Sequence, residues 1–183
     1  EGYASLFGAE DQGGDIVQPG AYGASLKALA GAGRKVKMLW QHDPREPIGV
    51  WDEIREDAKG LYVKGRLLDS VAKGREAAAL IAAGAIDGLS IGYQAVDTDP
   101  DPDREYGRVL KSVRLWEVSL VTFPMNPLAT VEAVKAADMT DRDLERMLTQ
   151  DAKLSRKDAR ALMRGGVDAL RGKQDAAQKS DQA

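Results

Sequence analysis

Three residues of this chain have side chains suited to acyl transfer: His42, Ser90 and Glu117. His42 is the only histidine and ends the β-prone run KVKMLWQH. Ser90 lies in DGLSIGY between Gly88 and Gly92, whose lack of side chains would let a substrate carbonyl approach and let backbone N–H groups bind an oxyanion. A serine, an imidazole and a carboxylate are the groups of a hydrolase that forms an acyl-enzyme.

Glu117 stands inside the apolar run RLWEVSLVTFP, where an unpaired charge would be costly to bury. Its partner is either an arginine, Arg114 or Arg108, or the imidazole of His42, which a carboxylate would orient during catalysis. Regular strand alternation predicts Trp116, Val118 and Leu120 on one face, and Leu115, Glu117, Ser119 and Val121 on the other. Ser119 shares the face of Glu117 and is the reserve candidate for the nucleophile.

These residues also have a structural interpretation, and other motifs are excluded by their context. A lone histidine is most often a residue without a chemical role, and a serine beside two glycines fits a strand edge. The spacing G-x-S-x-G matches the nucleophile elbow of α/β-hydrolases, but that elbow needs a strand before the serine and a helix after it, and here the order is reversed. Pro102 and Arg108 occupy positions at which an EF-hand needs glycine and glutamate. Gly13-Gly14 lacks the lysine of a phosphate loop.

Composition narrows the chemistry further. The 183 residues are enough for one domain with a core, and 43% hydrophobic and 30% charged residues are typical of a globular protein. No cysteine is present, which excludes disulfides, a thiolate nucleophile and cysteine-based metal sites. A single histidine argues against the usual histidine-rich zinc site. We therefore expect no metal and no cofactor, and no apolar run reaches the length of a membrane span.

Alternation and turn signals predict the elements that position these residues. Strands are predicted at 2–8, 35–42, 86–96 and 108–124, and a hairpin is predicted at 48–68 around REDAKG. Helices are predicted at 23–33, at 69–85 with Asp69 or Ser70 as N-cap, and at 127–139. Residues 9–22 are predicted as turn-rich, and 97–107 as a polar loop.

The last part of the chain has a different pattern. From Thr140 the sequence predicts helices only, with TDRD (140–143) and SRKD (155–158) matching the capping box. From residue 151, eight Lys/Arg stand against five Asp/Glu, a local charge of +3, whereas residues 1–150 carry 18 against 24, or −6. We predict a mainly β domain with flanking helices (α+β) over 1–139, and a basic, helical and partly disordered tail over 140–183 that serves targeting or self-association.

Three blocks, in their order along the chain, resemble the prohead serine proteases of tailed phages. They are KMLWQHDPREPIGVW, AKGREAAALIAAGAIDGLSIGY and LWEVSLVTFPMNPLA; with EGYASLFG and GDIVQPGAY the resemblance covers roughly residues 1–135. It implies a small antiparallel β-barrel wrapped by helices, similar to the herpesvirus capsid-maturation protease, assemblin. His42 and Ser90 carry over at matching motif positions. The assemblin relatives use a second histidine, which this chain lacks, so Glu117 is assigned as third member from its place in LWEVSLVT.

The resemblance implies a serine endopeptidase of capsid maturation. Such an enzyme acts inside the procapsid, within the cytoplasm of the bacterial host, where it cleaves the scaffold, the scaffolding segment of the major capsid protein, and itself. We expect self-association, and no membrane or direct nucleic-acid role. The alternative is a non-catalytic capsid-assembly scaffold protein that retains the protease fold, although the presence of both His42 and Ser90 argues against it.

Overall fold

The computed structural model describes residues 1–101, 107–133, 149 and 154–164. The chain separates into two compact units, Glu1–Val134 and Lys135–Ala183. Within the described residues, none of the helices has the length and apolar character needed to cross a membrane.

The first unit is built mainly from strands, with two helices among its described residues. In chain order the elements are β1 (Gly2–Leu6), β2 (Asp15–Val17), α1 (Gly23–Gly31), β3 (Lys37–Trp40), β4 (Asp43–Glu56), β5 (Gly60–Leu67), α2 (Ala72–Ala82), β6 (Gly88–Pro100) and β7 (Arg108–Val121). The turn between β4 and β5 follows from Asp57, whose Oδ1 accepts hydrogen bonds from the backbone N–H groups of Lys59 (2.9 Å) and Gly60 (3.2 Å).

The strands form one sheet in the order β1-β5-β4-β3-β7, and β2 and β6 both pair with β7. Most pairs are antiparallel. β2 and β3 run parallel to β7, each along part of the edge opposite β6: β2 pairs with 108–110, and β3 with 117–120. Strand β7 therefore has a partner on both edges at its two ends. Over residues 111–116, no strand of the described residues pairs with the edge opposite β6.

The sheet is nearly closed into a barrel by residues 129–131. The N–H of Leu89 donates to the carbonyl of Ala129, and the N–H of Val131 donates to the carbonyl of Asp87, both at 2.8 Å. Val131 also forms an antiparallel bridge with Gly2 of β1. The predicted mainly β fold with flanking helices is thus confirmed, with two parallel strand pairs inside it.

The interior of the barrel holds apolar side chains from nearly every strand. The largest fully buried ones include Tyr22, Ile48, Leu61, Leu89, Leu110 and Leu115. Removing each aliphatic side chain of this size from water stabilises the fold by about 1.5–3 kcal/mol. Because Leu89 and Leu115 lie on β6 and β7, the two strands that carry Ser90 and Glu117 are anchored by the core.

Several sequence predictions of element boundaries are wrong. Gln41 and His42, predicted at the end of a strand, form a turn. Residues 127–133 are not helical, because 129–131 hydrogen-bond to β6 and bridge to β1 instead; residues 134–139 lie outside the described part. Residues 97–100, predicted as loop, extend β6 because they pair with β7. The N-cap of α2 is Val71, without a side-chain cap. Gly74, in the first turn of this helix, packs closely against the carbonyl of Leu68, which a side chain there would overlap.

In the second unit, residues 156–164 are helical. The first half of the predicted capping box is present at its start, because Ser155 Oγ accepts a hydrogen bond from the N–H of Asp158 at 3.1 Å. The carboxylate of Asp158 accepts a hydrogen bond from Ser155 Oγ at 2.6 Å. The other predicted capping box, at 140–143, lies outside the described residues.

Candidate active site

His42 lies in a tight turn that joins β3 to β4. Trp40 pairs with Asp43, so that Gln41 and His42 are the two central residues, with φ of 52° and 60°. A two-residue hairpin with positive φ at both positions usually contains Asn or Gly. Holding other residues in this region costs on the order of 1–3 kcal/mol each, so the turn needs support from its surroundings.

That support comes from the C-terminal end of β7. The side chain of Gln41 donates to Thr122 Oγ1 (2.8 Å) and accepts from the N–H of Thr122 (3.2 Å). The N–H of Gln41 donates to the carbonyl of Leu120 (2.9 Å), and the N–H of His42 donates to Ser119 Oγ (3.1 Å). These four bonds fix the turn against β7 and thereby fix the position of the His42 imidazole.

The imidazole of His42 contacts the carboxylate of Glu117. His42 Nδ1 and Glu117 Oε1 are 2.6 Å apart, and the second oxygen, Oε2, accepts a hydrogen bond from Ser119 Oγ at 2.5 Å. An ionised carboxylate only accepts hydrogen bonds, so a neutral imidazole in this contact carries its proton on Nδ1 and presents Nε2 as a base. The His42 side chain is 41% exposed and that of Glu117 only 10%, so a substrate can reach the imidazole while the carboxylate is shielded.

A β-bulge in β7 turns Glu117 away from the barrel interior. The β6–β7 register pairs Tyr93 with Leu115 but Gly92 with Glu117, so Trp116 is the extra residue. The predicted alternation is therefore wrong across this point: Leu115 lies in the core with Val118 and Leu120, and Trp116 is 56% exposed. Without the bulge, Glu117 and Leu115 would share one face.

The glycines beside Ser90 make room for neighbouring groups. A side chain at Gly92 would overlap the carboxylate of Glu117, so glycine is required for that carboxylate to lie across β6. A side chain at Gly88 would lie 2.7 Å from the carbonyl of Val121 and 2.8 Å from Pro124. The assignment of these glycines to an oxyanion hole stays a prediction.

Ser90 lies on the same face, one strand away. It pairs in register with Ser119 across β6 and β7, which places the two Cβ atoms roughly 4.5–5.5 Å apart. Among the described contacts there is no hydrogen bond between Ser90 and His42. The three predicted residues thus converge around Ser119: His42 and Glu117 are in direct contact, and Ser90 is opposite Ser119 on the next strand. Catalytic hydrogen bonds commonly tighten only when substrate binds.

A cavity of about 310 Å³ opens beside Ser90. Its wall contains Asp15, whose carboxylate accepts hydrogen bonds from Arg108 (2.6 and 2.8 Å) and from the hydroxyl of Tyr93 (2.8 Å). Burial raises the pKa of Asp15, but the bonds from Arg108 and Tyr93 outweigh it and hold the pKa below its usual value. Burial and the bond to Asp15 raise the pKa of Tyr93.

The arginine partners considered for Glu117 are engaged elsewhere. Arg108 pairs with Asp15, and Arg114 donates to the side-chain oxygen of Gln94 at 3.2 Å.

The sequence prediction missed the role of Ser119, whose hydroxyl contacts both Glu117 and the backbone of His42. The signal available in the sequence was the i, i+2 spacing of Glu117 and Ser119, which places both on one face of a strand. Within the described residues, no group of three or more His, Cys, Asp or Glu side chains could hold a metal ion.

This arrangement supports general-base catalysis. A carboxylate fixes one nitrogen of the imidazole, the other nitrogen can accept a proton, and a serine hydroxyl lies on the adjacent strand of the same face. These groups can together activate a hydroxyl for attack on a carbonyl carbon.

The chain is similar to known proteins over most of its length. Residues 1–145 match the family described as caudovirus prohead serine protease. The prohead protease of Enterobacteria phage HK97 is 38% identical over 175 residues, which cover 93% of this chain and 76% of that protein. The capsid polyprotein of Pseudomonas phage PAJU2 is 34% identical over 134 residues, 70% of this chain and 19% of the polyprotein. Among solved structures, the bacteriophage T4 capsid assembly protease is similar, with a TM-score of 0.49, 13% identity, and coverage of 65% of this chain and 79% of that one.

Proposed function

This chain belongs to the caudovirus prohead serine proteases, and we propose that it matures the procapsid by cleaving the scaffold, the scaffolding segment of the major capsid protein, and itself. Ser90 is the nucleophile, His42 the general base and Glu117 the group that orients His42. The contact of 2.6 Å between His42 Nδ1 and Glu117 Oε1 carries this assignment, because it holds the base in the tautomer that the reaction needs.

The reaction proceeds through an acyl-enzyme. Ser90 Oγ attacks the scissile carbonyl carbon while its proton passes to His42 Nε2, and backbone N–H groups near Gly88 or Gly92 bind the oxyanion. His42 then gives the proton to the leaving amine as the C–N bond breaks. Water, activated by the same nitrogen, hydrolyses the ester and restores Ser90.

Ser119 positions the other two groups and is not the nucleophile. Its hydroxyl donates to Glu117 and accepts from the backbone of His42, and the residue is fully buried. A hydroxyl committed in this way cannot pass its proton to the imidazole that it helps to orient. Ser90 is also buried, with 4% of its surface exposed, but it lines a cavity of about 310 Å³.

The similarity to a capsid polyprotein supports capsid protein as the substrate, because a related sequence there forms part of a polypeptide named for the capsid. The site of action is then the interior of the procapsid in the host cell. Residues 140–183 form a basic tail that targets the enzyme to the scaffold or mediates self-association, and the protease domain comprises residues 1–139.

A fluorophosphonate probe tests this assignment. The probe should form a covalent adduct that peptide mapping locates on Ser90, and Ser90→Ala and His42→Ala should both lose it. Ser70→Ala, which removes an exposed serine elsewhere, is the matched control and should label at the wild-type rate. A chain ending at residue 139 should also label if the tail is dispensable for catalysis.

The same proteins are then incubated with capsid protein that carries its scaffolding segment. Wild type should release the segment and Ser90→Ala should not. An adduct on Ser119 would identify a different nucleophile, and cleavage by Ser90→Ala at the wild-type rate would exclude this mechanism. Absence of both labelling and cleavage would favour the non-catalytic scaffold protein.

A further inference from the structure

A groove of about 640 Å³ lies between α1 and the middle of β7, on a part of the molecule that the proposed chemistry does not use. Its floor is apolar and includes Ala28, Leu29, Val96, Leu115 and Trp116. Its rim carries four cations: Arg34, Lys35, Lys37 and Arg114. We call this surface the basic groove.

The basic groove lies where, in the part of the chain that the structure describes, no strand pairs with one edge of β7 over residues 111–116. Helix α1 and the residues before it cover this edge only partly: Ser25 Oγ accepts from the N–H of Leu115 (2.9 Å), and the carbonyl of Ala21 accepts from the N–H of Val113 (3.0 Å). The two apolar residues that fall outside the β6–β7 register at its bulges, Val96 and Trp116, are 60% and 56% exposed. Both side chains line the groove and form its exposed apolar part.

The cations of the basic groove differ from most others of the same unit. Eight other Lys and Arg residues that the structure describes there contact a carboxylate, for example Arg45 with Asp43 and Lys59 with Glu132, and Arg75 contacts a carbonyl. Arg34, Lys35, Lys37 and Arg114 have no such carboxylate partner among the described residues, and neither has Lys27 on α1. No acidic residue that the structure describes lines the groove.

We propose that the basic groove is a docking site for an acidic, amphipathic segment of a partner protein. Acidic side chains of the segment pair with the cations of the rim, and its apolar side chains cover Trp116 and the aliphatic floor. The floor favours a peptide over a nucleic acid, because a phosphate backbone would leave the apolar residues uncovered. Residues 151–183 of this chain carry a net charge of +3 and do not match the charge of the rim.

The position of the groove relates it to the proposed cleavage. Lys37 at its rim pairs in register with Glu117, so a segment docked here lies beside the edge that holds the candidate active site without passing through it. Docking of this kind would recruit a protein before its cleavage site is engaged. The docking itself does not require catalysis, so its test is independent of the proposed function.

The test measures binding of a defined probe to the full chain by fluorescence anisotropy. The probe is a fluorescein-labelled synthetic peptide of about four helical turns, with leucine on one face and glutamate on the other. Saturable binding is expected, and it should weaken as salt is added because the rim contacts are exposed. Arg34→Glu/Lys35→Glu should weaken binding by about tenfold or more, and Trp116→Ser by about tenfold, as expected for a central aromatic anchor.

The matched control is Arg45→Glu/Arg66→Glu, which makes the same change in net charge at two exposed cations elsewhere. It should change the affinity less than about twofold, and Ser90→Ala should leave it unchanged. Equal losses in the two double variants would reduce the effect to general charge attraction and overturn the proposal. Polyglutamate of equal charge binding as tightly as the amphipathic peptide would do the same. A single-stranded DNA that binds more tightly, and loses binding in Arg34→Glu/Lys35→Glu, would identify a nucleic-acid site instead.

Discussion

The two halves of strand β7 have opposite environments. Residues 117–121 are enclosed, with β3 and β6 on either edge and almost every side chain buried. Residues 112–116 have β6 on one edge. On the other edge, within the described residues, they contact α1 and the residue Ala21 before it, and Trp116 is exposed. The enclosed half holds Glu117 and Ser119 in fixed hydrogen bonds, as catalysis requires, whereas the open half offers surface for a partner. The bulge at Trp116 separates them.

The largest expected effect tests the enclosed half directly. Glu117→Gln keeps the shape of the side chain but loses the charge that stabilises the imidazolium. In a well-studied serine protease the equivalent change lowers turnover about 10⁴-fold. We expect a similar loss in kcat with a peptide substrate, and a near wild-type kcat for Trp116→Ala on the open half. A loss below about tenfold for Glu117→Gln would make Glu117 a structural residue.

Alanine substitutions at the neighbouring residues Leu115 and Trp116 test whether the bulge is present, because it places one side chain in the core and the other in solvent. Leu115→Ala removes a core side chain and should lower the free energy of unfolding by about 2–5 kcal/mol. Trp116→Ala removes an exposed side chain and should change it by no more than about 0.5 kcal/mol. Urea denaturation of both variants measures the difference. A larger cost at Trp116 than at Leu115 would contradict the bulge and restore regular alternation.

The smallest expected effect is at Ser119. Ser119→Ala removes the donor to Glu117 Oε2 and the acceptor for the N–H of His42, and leaving these groups without partners should cost about 1–3 kcal/mol in unfolding free energy. Ser112→Ala, on the open half of the same strand, is the control and should be nearly neutral.

A second measurement tests whether Ser119 positions the catalytic groups or only stabilises the fold. It is the rate at which a fluorophosphonate labels Ser119→Ala, measured as a function of pH. Ser90 should still be labelled, but more slowly and with a shifted pH profile. An unchanged rate and profile would remove Ser119 from the catalytic machinery.

Much of the fold followed from local pattern. Alternation located most strands, and glycine and polar residues located the β4–β5 turn. The prediction failed where contacts with residues distant in the sequence determine the local conformation. Residues 129–131 leave the predicted helix because Leu89 and Asp87, some 40 positions earlier, offer hydrogen-bond partners. The helix α2 begins after Val71 and not after Asp69 or Ser70, and no side-chain cap marks that start.

The candidate site was partly predictable for a related reason. Residue types and glycine spacing pointed to Ser90 and His42, and the apolar surroundings of Glu117 implied a partner for its charge. The sequence could not choose between an arginine and an imidazole, because that choice depends on which strand lies beside β7. Nor did it predict that Gln41 and His42 adopt positive φ, since that conformation is stabilised by Thr122, Leu120 and Ser119.

The sequence by itself determined the chemical groups available to this protein, the strands that carry Ser90 and Glu117, and the family to which the protein belongs. Tertiary structure alone decided their arrangement: β3 pairs with the second half of β7 and not with the first, and a single extra residue, Trp116, turns Glu117 toward His42. The physical reason is the two-residue period of a strand. One inserted residue reverses every side chain beyond it, and only cross-strand pairing determines where that insertion is accommodated.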